Sequence, residues 1–308
     1  MNITITGDIG SGKSTVASII ADKLNMTIVE TGELYRKYSN EKGTDVLGQN
    51  KSDDWSIDRK IDTEIQRLGK EMDNTIFVSR LAWHFVPDAI NVYLTVNPVL
   101  AAKRVLANKS RISEKHSDYK ETIKYNAERK TLELNRYKKM YNLDDPSGYT
   151  NADIIVAIGK NNVDDVSNCI IRAIQNNEFG TFIDPKTCLP TQVIRDFNPN
   201  RLTEYIQDFS KIIDDVYASN SLVISYDGLN YYINDGHHRV IALVKNNIKF
   251  VRVYGVNNIS VKPDIFTIYD FEDLAGINLE DELECYNEIP LVNKERSILD
   301  IAISSMNP

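Results

Sequence analysis

Cysteine is scarce in this chain of 308 residues: there are three, Cys169, Cys188 and Cys285. Their number is odd, they lie far apart, and no two stand at metal-ligand spacing. This excludes a disulfide scaffold and a cysteine-based zinc site, and predicts buried or free thiols in a reducing compartment. Long apolar runs are missing as well. No stretch reaches the roughly 18 apolar residues of a spanning helix, so no membrane span and no membrane partner are expected. No signal peptide precedes the first strand, so the expected location is the cytoplasm, or the host cytoplasm for a viral protein. Positive charge is in deficit. The net charge of −8 repels nucleic acid and anionic membranes on average. The average conceals an asymmetry. Residues 101–140 carry 12 Lys or Arg against 5 Asp or Glu, a local +7 that leaves −15 for the remainder. Residues 271–290 carry seven acids and no Lys or Arg. Internal repeats and low-complexity segments are absent.

What is present reads as two globular domains, a count that the length of 308 residues favours. β-rich runs at 2–6, 26–30, 74–80, 90–95 and 152–158 alternate with helical patterns at 14–25, 31–43, 54–72, 98–109, 115–141 and 163–175. Alternation of this kind predicts an α/β fold, a parallel sheet with helices on both faces, over residues 1–178. The polar stretch 176–185 marks a boundary. Residues 179–308 read as a smaller α+β domain. It has a hairpin at 221–235 around Asp227-Gly228, a helix at 235–247 and a strand at 249–256. Its end, 264–308, is acidic and only weakly patterned.

The densest chemical signal is GDIGSGKST at 7–15, which fits G-x-x-x-x-G-K-[ST] between a predicted strand and a predicted helix. Glycines let successive backbone N–H groups converge on phosphate oxygens, and the following helix presents its positive end to the same anion. Gly7, Asp8, Gly10, Ser11, Gly12, Lys13, Ser14 and Thr15 are therefore the candidate residues for ATP. Lys13 would reach the β and γ phosphates, and the Ser14 hydroxyl would meet Mg²⁺. A guanine-reading N-K-x-D motif is lacking. The strand on which motor ATPases carry a metal-binding aspartate ends here in F-V-S-R. An arginine at that place suits a kinase, which needs a cation for an acceptor phosphate or for the transferring group.

These stretches, taken in order, carry a family resemblance. ITITGDIGSGKSTVA, VETGELYRKYSNEKG, SIDRKIDTEI, FVSRLAWHFV, INVYLT, ERKTLELNRYKKMYNLD and YTNADIIVAI resemble the cytidylate kinases, especially the short archaeal type, over about residues 1–178. The resemblance implies a nucleoside monophosphate kinase fold with a five-stranded core and a mobile lid, ATP as donor and a pyrimidine nucleotide as acceptor. It also implies roles by position. Thr31, Gly32 and Arg36 would start the acceptor-binding helix, and Asp58 would lie near the acceptor base. Arg80 would grip the acceptor phosphate, while Arg129 and Arg136 would be lid arginines closing on the transferring group. Lys13, Arg80, Arg129 and Arg136 are thus the candidate catalytic residues. The local +7 falls where such a lid belongs. The sequence departs from the family at Ser79, Ala127 and Leu134, and at Asp8, which places a negative charge in the phosphate loop.

In the second domain, NDGHHRVIALVKNN and IDPKTCLPTQVI resemble the ParB/sulfiredoxin-like superfamily, which includes free-serine kinases. Asp235, Gly236, His237, His238 and Arg239 would line a helix N-terminus that serves as an anion site. The competing reading has the histidines capping the helix and Arg239 paired with Asp235. Kinase-active members of the superfamily place a glutamate near the Pro-Thr pair. Here Gln192 follows Thr191, and an amide is no base, so this domain is expected to bind rather than catalyse.

Three functions remain in view. The first is an ATP-dependent kinase for a CMP-like or dCMP-like nucleotide. The second is a kinase for a hydroxymethylpyrimidine already in DNA, as in phage DNA-hypermodification systems, with DNA as partner. The third is an ATP-binding regulatory switch whose ParB-like half grips nucleic acid or another partner. Nothing in the pattern specifies an oligomeric state.

Overall fold

Ile3, Thr4, Ile5 and Thr6 are all buried, so strand β1 (Ile3–Gly7) is covered on both faces. That is the environment of a central parallel strand. In the computed structural model β1 lies between β3 (Thr75–Val78) and β4 (Ile90–Thr95), with Ile5 level with both Val78 and Val92. Strand β2 (Thr27–Glu30) flanks β3, and β5 (Ile154–Ala157) flanks β4. The order is β2-β3-β1-β4-β5, and every pairing is parallel. The structure describes residues 1–41, 43, 48, 51, 54–107, 118–195, 199–207, 222–227, 230–256 and 263–283. Two compact units emerge, Met1–Gly180 and Thr181–Pro308.

In the first unit the chain runs from β1 to β2 in one direction and from β3 to β4 in the other. Right-handed crossovers then put α1 (Lys13–Leu24) on one face, and α3 (Ser56–Glu71) and α5 (Pro98–Ala107) on the opposite face. Helix α1 packs on α7 (Val163–Asn176), and α3 packs on α2 (Gly32–Glu41) and on the short α4 (Ala82–Phe85). Helix α5 packs on the long α6 (Tyr119–Tyr141). The reversal at β1 opens a crevice at the carboxyl ends of the strands, where α/β sheets bind ligands. Helix α1 buries Val16, Ala17, Ile20 and Ala21, one stripe at helical spacing. Helices α1, α6 and α7 each stop at an asparagine in the left-handed region: Asn25, Asn142 and Asn177.

The second unit holds a mixed sheet. Strand β6 (Gly180–Ile183) pairs antiparallel with β10 (Val251–Val256), and β10 pairs parallel with β8 (Val223–Tyr226). The hairpin partner of β8 is β9 (Tyr231–Asp235), which also pairs with β7 (Cys188–Leu189). Asp227 closes the hairpin, accepting from the Asn230 N–H at 2.8 Å and from the Tyr232 hydroxyl at 2.8 Å. Gly228 lies outside the described residues. Helices α8 (Pro199–Gln207) and α9 (His237–Lys245) pack together.

The acidic end is more regular than its pattern predicts. It forms α10 (Ile265–Ala275) and α11 (Leu279–Glu282), with Ile268, Phe271, Ala275 and Leu279 buried. Their three- and four-residue spacing is a helical stripe that the flanking acids mask. Asp264 caps α10, and Gly276 ends it at φ +71°. Residues 284–308, with Cys285, lie outside the described part. Cys169 and Cys188 are buried free thiols. Among the described residues, no helix is long and apolar enough to cross a membrane.

Gly7 is where the sheet becomes the loop. It sits at φ +139°, and a Cβ there would run into the backbone of Leu94 on the adjacent strand. Gly7→Ala is expected to destabilise the first unit by about 3 kcal/mol through backbone strain and overlap. Urea unfolding of the full chain measures this. An unshifted first transition would mean that β4 yields without cost.

Candidate active site

The phosphate loop leaves β1 at the strand-order reversal and ends at Gly12, the N-cap of α1. Gly12 adopts φ +78° and supplies no side-chain cap, and the first turn of α1 holds no acid. Helices α6 and α7, in contrast, are capped by Asp118 and Asn162. The start of α1 thus presents its positive end without a side-chain cap or an acid, as an anion site does. Lys13 Nζ donates to the carbonyl oxygens of Gly7 and Asp8 at 2.9 and 2.7 Å, and lies 3.5 Å from Ser11 Oγ. Ser11 is buried, while Ser14 and Thr15 are exposed in the first turn. The Ser14 hydroxyl donates to the carboxylate of Glu30, the last residue of β2. A hydroxyl and a carboxylate side by side are hard oxygen donors that suit Mg²⁺ on a bound triphosphate. Strand β3 offers Ser79 and Arg80 at its end, and β2 supplies the acid.

Asp8 does not leave an uncompensated charge in the loop. Its carboxylate accepts from the Tyr93 hydroxyl at 3.0 Å, Thr95 Oγ1 at 2.9 Å and the Val96 N–H at 3.1 Å, and it pairs with Lys130 at 2.6 Å. Burial pushes its pKa up, but Lys130 and the hydrogen bonds from Thr95 and Val96 outweigh burial and hold it below the usual carboxylate range. Asp8 fastens the loop to β4 and α6, a part that Lys130 plays from a position the sequence reading passed over.

One cleft brings Gly7, Gly10, Lys13 and Ser14 together with Glu30, Thr31, Gly32, Asp58, Arg80 and Arg129. Thr31 is buried, and its N–H donates to the Val78 carbonyl at 3.2 Å. Arg80 stands over the Tyr35 ring at 5.1 Å, donates to the Tyr137 hydroxyl at 3.4 Å and pairs with Glu133 at 3.0 Å. Desolvation would lower the pKa of Arg80, but Glu133, Tyr137 and Tyr35 raise it above its ordinary value. Arg129 is buried and pairs with the same Glu133 at 2.8 Å.

Arg136 departs from its expected place on the transferring group. It is buried against Asp58, with Nη2 and Nε at 2.6 and 3.1 Å from one carboxylate oxygen. The pair is 2% exposed on each side, so each charge requires the other, and Arg136 anchors α6 to α3. Asp58 is likewise no solvated face residue. The side chain of Arg36, and residues 108–117 of the basic segment, lie outside the described residues.

Sequence reasoning missed Asp62 and Glu133, although helical spacing marks both. Each follows a singled-out residue, Asp58 or Arg129, by one turn. Asp62 accepts from the Tyr141 hydroxyl at 2.6 Å. Burial, with Asp58 nearby, pushes its pKa up to about 7 against the opposing pull of that hydrogen bond and of Arg80.

In the second unit Gly236 caps α9 at φ +99° without a side-chain cap. His237 turns inward. Its Nε2 accepts from the Thr191 N–H at 3.0 Å, and its Nδ1 faces the Gln192 amide at 3.2 Å. Burial lowers its pKa to about 4, so the ring is neutral. Arg239 donates to Asp235 at 3.1 Å, the pairing of the competing reading. His238 is lowered by burial and by Arg201 and Arg239. His237 thus ties the 190–192 loop to α9, and the five residues do not all turn toward one anion.

Comparison with known proteins places this geometry. The AAA domain family matches residues 3–125. A cytidylate kinase of Methanocella arvoryzae is 33% identical over 178 residues, covering 56% of this chain and 97% of that protein. The chain belongs to the cytidylate kinase family. A second cytidylate kinase, from Archaeoglobus fulgidus, is 28% identical over 178 residues and covered to 95%. Among solved structures, a shikimate kinase from Bacteroides thetaiotaomicron covers 57% of this chain and 98% of its own, with 16% identity and a TM-score of 0.41. The protein is a P-loop kinase of the cytidylate kinase type, a type that takes ATP with Mg²⁺.

Asp62 gives this cleft a testable pH dependence. Its folded pKa of about 7 lies above the ordinary 3.8. Between those values the folded chain keeps a proton that the unfolded chain has released. Its contribution to stability is complete below about pH 4 and is lost as the pH rises through about 7. Asp62→Asn should remove this loss, on the order of a few kcal/mol. Denaturant midpoints at about pH 5 and about pH 8 measure it. An unchanged difference between the two would show that another group titrates.

Proposed function

We propose that the first unit transfers the γ-phosphoryl group of ATP to a pyrimidine nucleoside monophosphate of the CMP or dCMP class. The observation that carries this reading is the single cleft joining the uncapped start of α1 to Arg80 and Arg129. A donor triphosphate and an acceptor phosphate would sit at its two ends. In this reading the N–H groups of residues 10–14 hold the donor phosphates, and Lys13 leaves the loop carbonyls to reach the β and γ oxygens. Ser14, with Glu30 beside it, would hold Mg²⁺, which would supply charge neutralisation on the donor phosphates. Arg80 and Arg129 orient the acceptor phosphate for in-line attack and offset the charge that develops on the equatorial oxygens. Asp58, fixed by Arg136, and Asp62 present carboxyl groups to the acceptor's base. An acceptor phosphate attacks as an anion, so no general base is required.

The second unit we read as a ParB/sulfiredoxin-like binding module. Gln192, an amide, stands against His237 where the kinase-active type would need a carboxylate.

Radiolabel transfer from ATP separates the readings. CMP or dCMP should be phosphorylated, and duplex DNA containing hydroxymethyluracil should not. Transfer to the DNA alone would move the activity to base modification, and ATP binding without transfer to any acceptor would mark a regulatory switch. Lys13→Ala should lower kcat/KM by about a hundredfold or more. Turnover close to wild type would refute the assignment of the donor site.

A further inference from the structure

Arg80 and Arg129 share one carboxylate. Glu133 Oε1 lies 3.0 Å from Arg80 Nη2 and 2.8 Å from Arg129 Nε, and all three residues line the cleft. The Glu133 and Arg129 side chains are 9% and 7% exposed, and Arg80 is half-buried at 29%. Buried guanidiniums require an anion, and a carboxylate meets their planar donors as a phosphate does. Both ligands carry negative charge and seek the same N–H groups. With Glu133 in its observed place, an acceptor phosphate drawing on those donors would be forced against a like charge in a poorly solvated pocket.

We propose that Glu133 is the built-in anion that an acceptor phosphate displaces, so that acceptor capture is an exchange of one anion for another on Arg80 and Arg129. This deepens, and rests on, the reading of the cleft as a nucleotide kinase site. Glu133 is a positioning residue. It keeps both guanidiniums aligned and charge-balanced, then gives them up. The exchange lowers phosphate affinity below what two unopposed arginines would yield. It also selects against neutral acceptors, because a nucleoside without a phosphate has nothing with which to displace a carboxylate.

Calorimetry on the full chain, with inorganic phosphate, CMP and cytidine as probes, tests the exchange in wild type, Glu133→Gln and Glu133→Asp. Glu133→Gln should bind phosphate and CMP about tenfold more tightly, a change of roughly 1.4 kcal/mol. It should also melt at a lower temperature, because buried Arg129 and half-buried Arg80 lose a shared carboxylate. KM for CMP should fall by a similar factor and by more than kcat changes, while cytidine affinity stays as in wild type. Glu133→Asp keeps the charge but is too short to bridge both guanidiniums, and should fall between the two. It carries the comparison if the amide variant does not fold. Phosphate binding that is unchanged or weaker in the variants, or a gain for cytidine equal to that for CMP, would overturn the inference. No CMP turnover by the wild type would remove the acceptor assignment alone, and the phosphate series would still decide the exchange.

Discussion

Helix α6 is held to the first unit by charge along its length and by one apolar cluster at its end, where Tyr137, Met140 and Tyr141 meet Leu81, Trp83 and Phe85. Of its buried residues Thr122, Arg129, Glu133, Arg136 and Tyr137, none is aliphatic. Its ionic attachments are Glu133 with Arg80, Lys130 with Asp8, and Arg136 with Asp58, and Arg129 shares Glu133 from within the helix. Such pairs contribute little net stability, because desolvation offsets much of the attraction, but breaking one partner is expensive. The ion pairs therefore fix the register of the helix, and its apolar contacts gather in the last turns. The arrangement suits an element that must meet a highly charged substrate and then part from it.

The same groups serve structure and chemistry. Arg80 follows β3 beside the strand-order reversal, and Arg129 comes from α6 to line the same cleft, so sheet topology decides where the cations meet. Asp8 ties the phosphate loop to β4 and, through Lys130, to α6. The phosphate loop, Arg80 and Arg129 thus share one supporting helix. A shift of α6 would alter both ends of the cleft together.

Local features of the sequence carried much of this. The glycine-lysine loop, the β/α alternation and the hairpin at Asp227 follow from backbone rules that act over a few residues. Long-range pairing was hidden. Asp58 and Arg136 are 78 residues apart, and only folding shows that Arg136 is spent on a buried carboxylate. Lys130 and Asp8 are 122 residues apart, and neither makes sense without the other. The acidic end concealed α10 because composition drew attention away from the spacing of Ile268, Phe271 and Ala275. In the second unit, His237 and Arg239 looked like anion ligands by position. Their partners Thr191, Gln192 and Asp235 turn them to structural use.

Lys13 folds its ammonium group back onto the Gly7 and Asp8 carbonyls. The loop consequently answers its own polarity before any nucleotide arrives. In the proposed reading, capture breaks these internal bonds and departure restores them, so the grip on spent nucleotide is loosened by the loop's own chemistry. A lysine with no such internal partner would clasp harder and release more slowly.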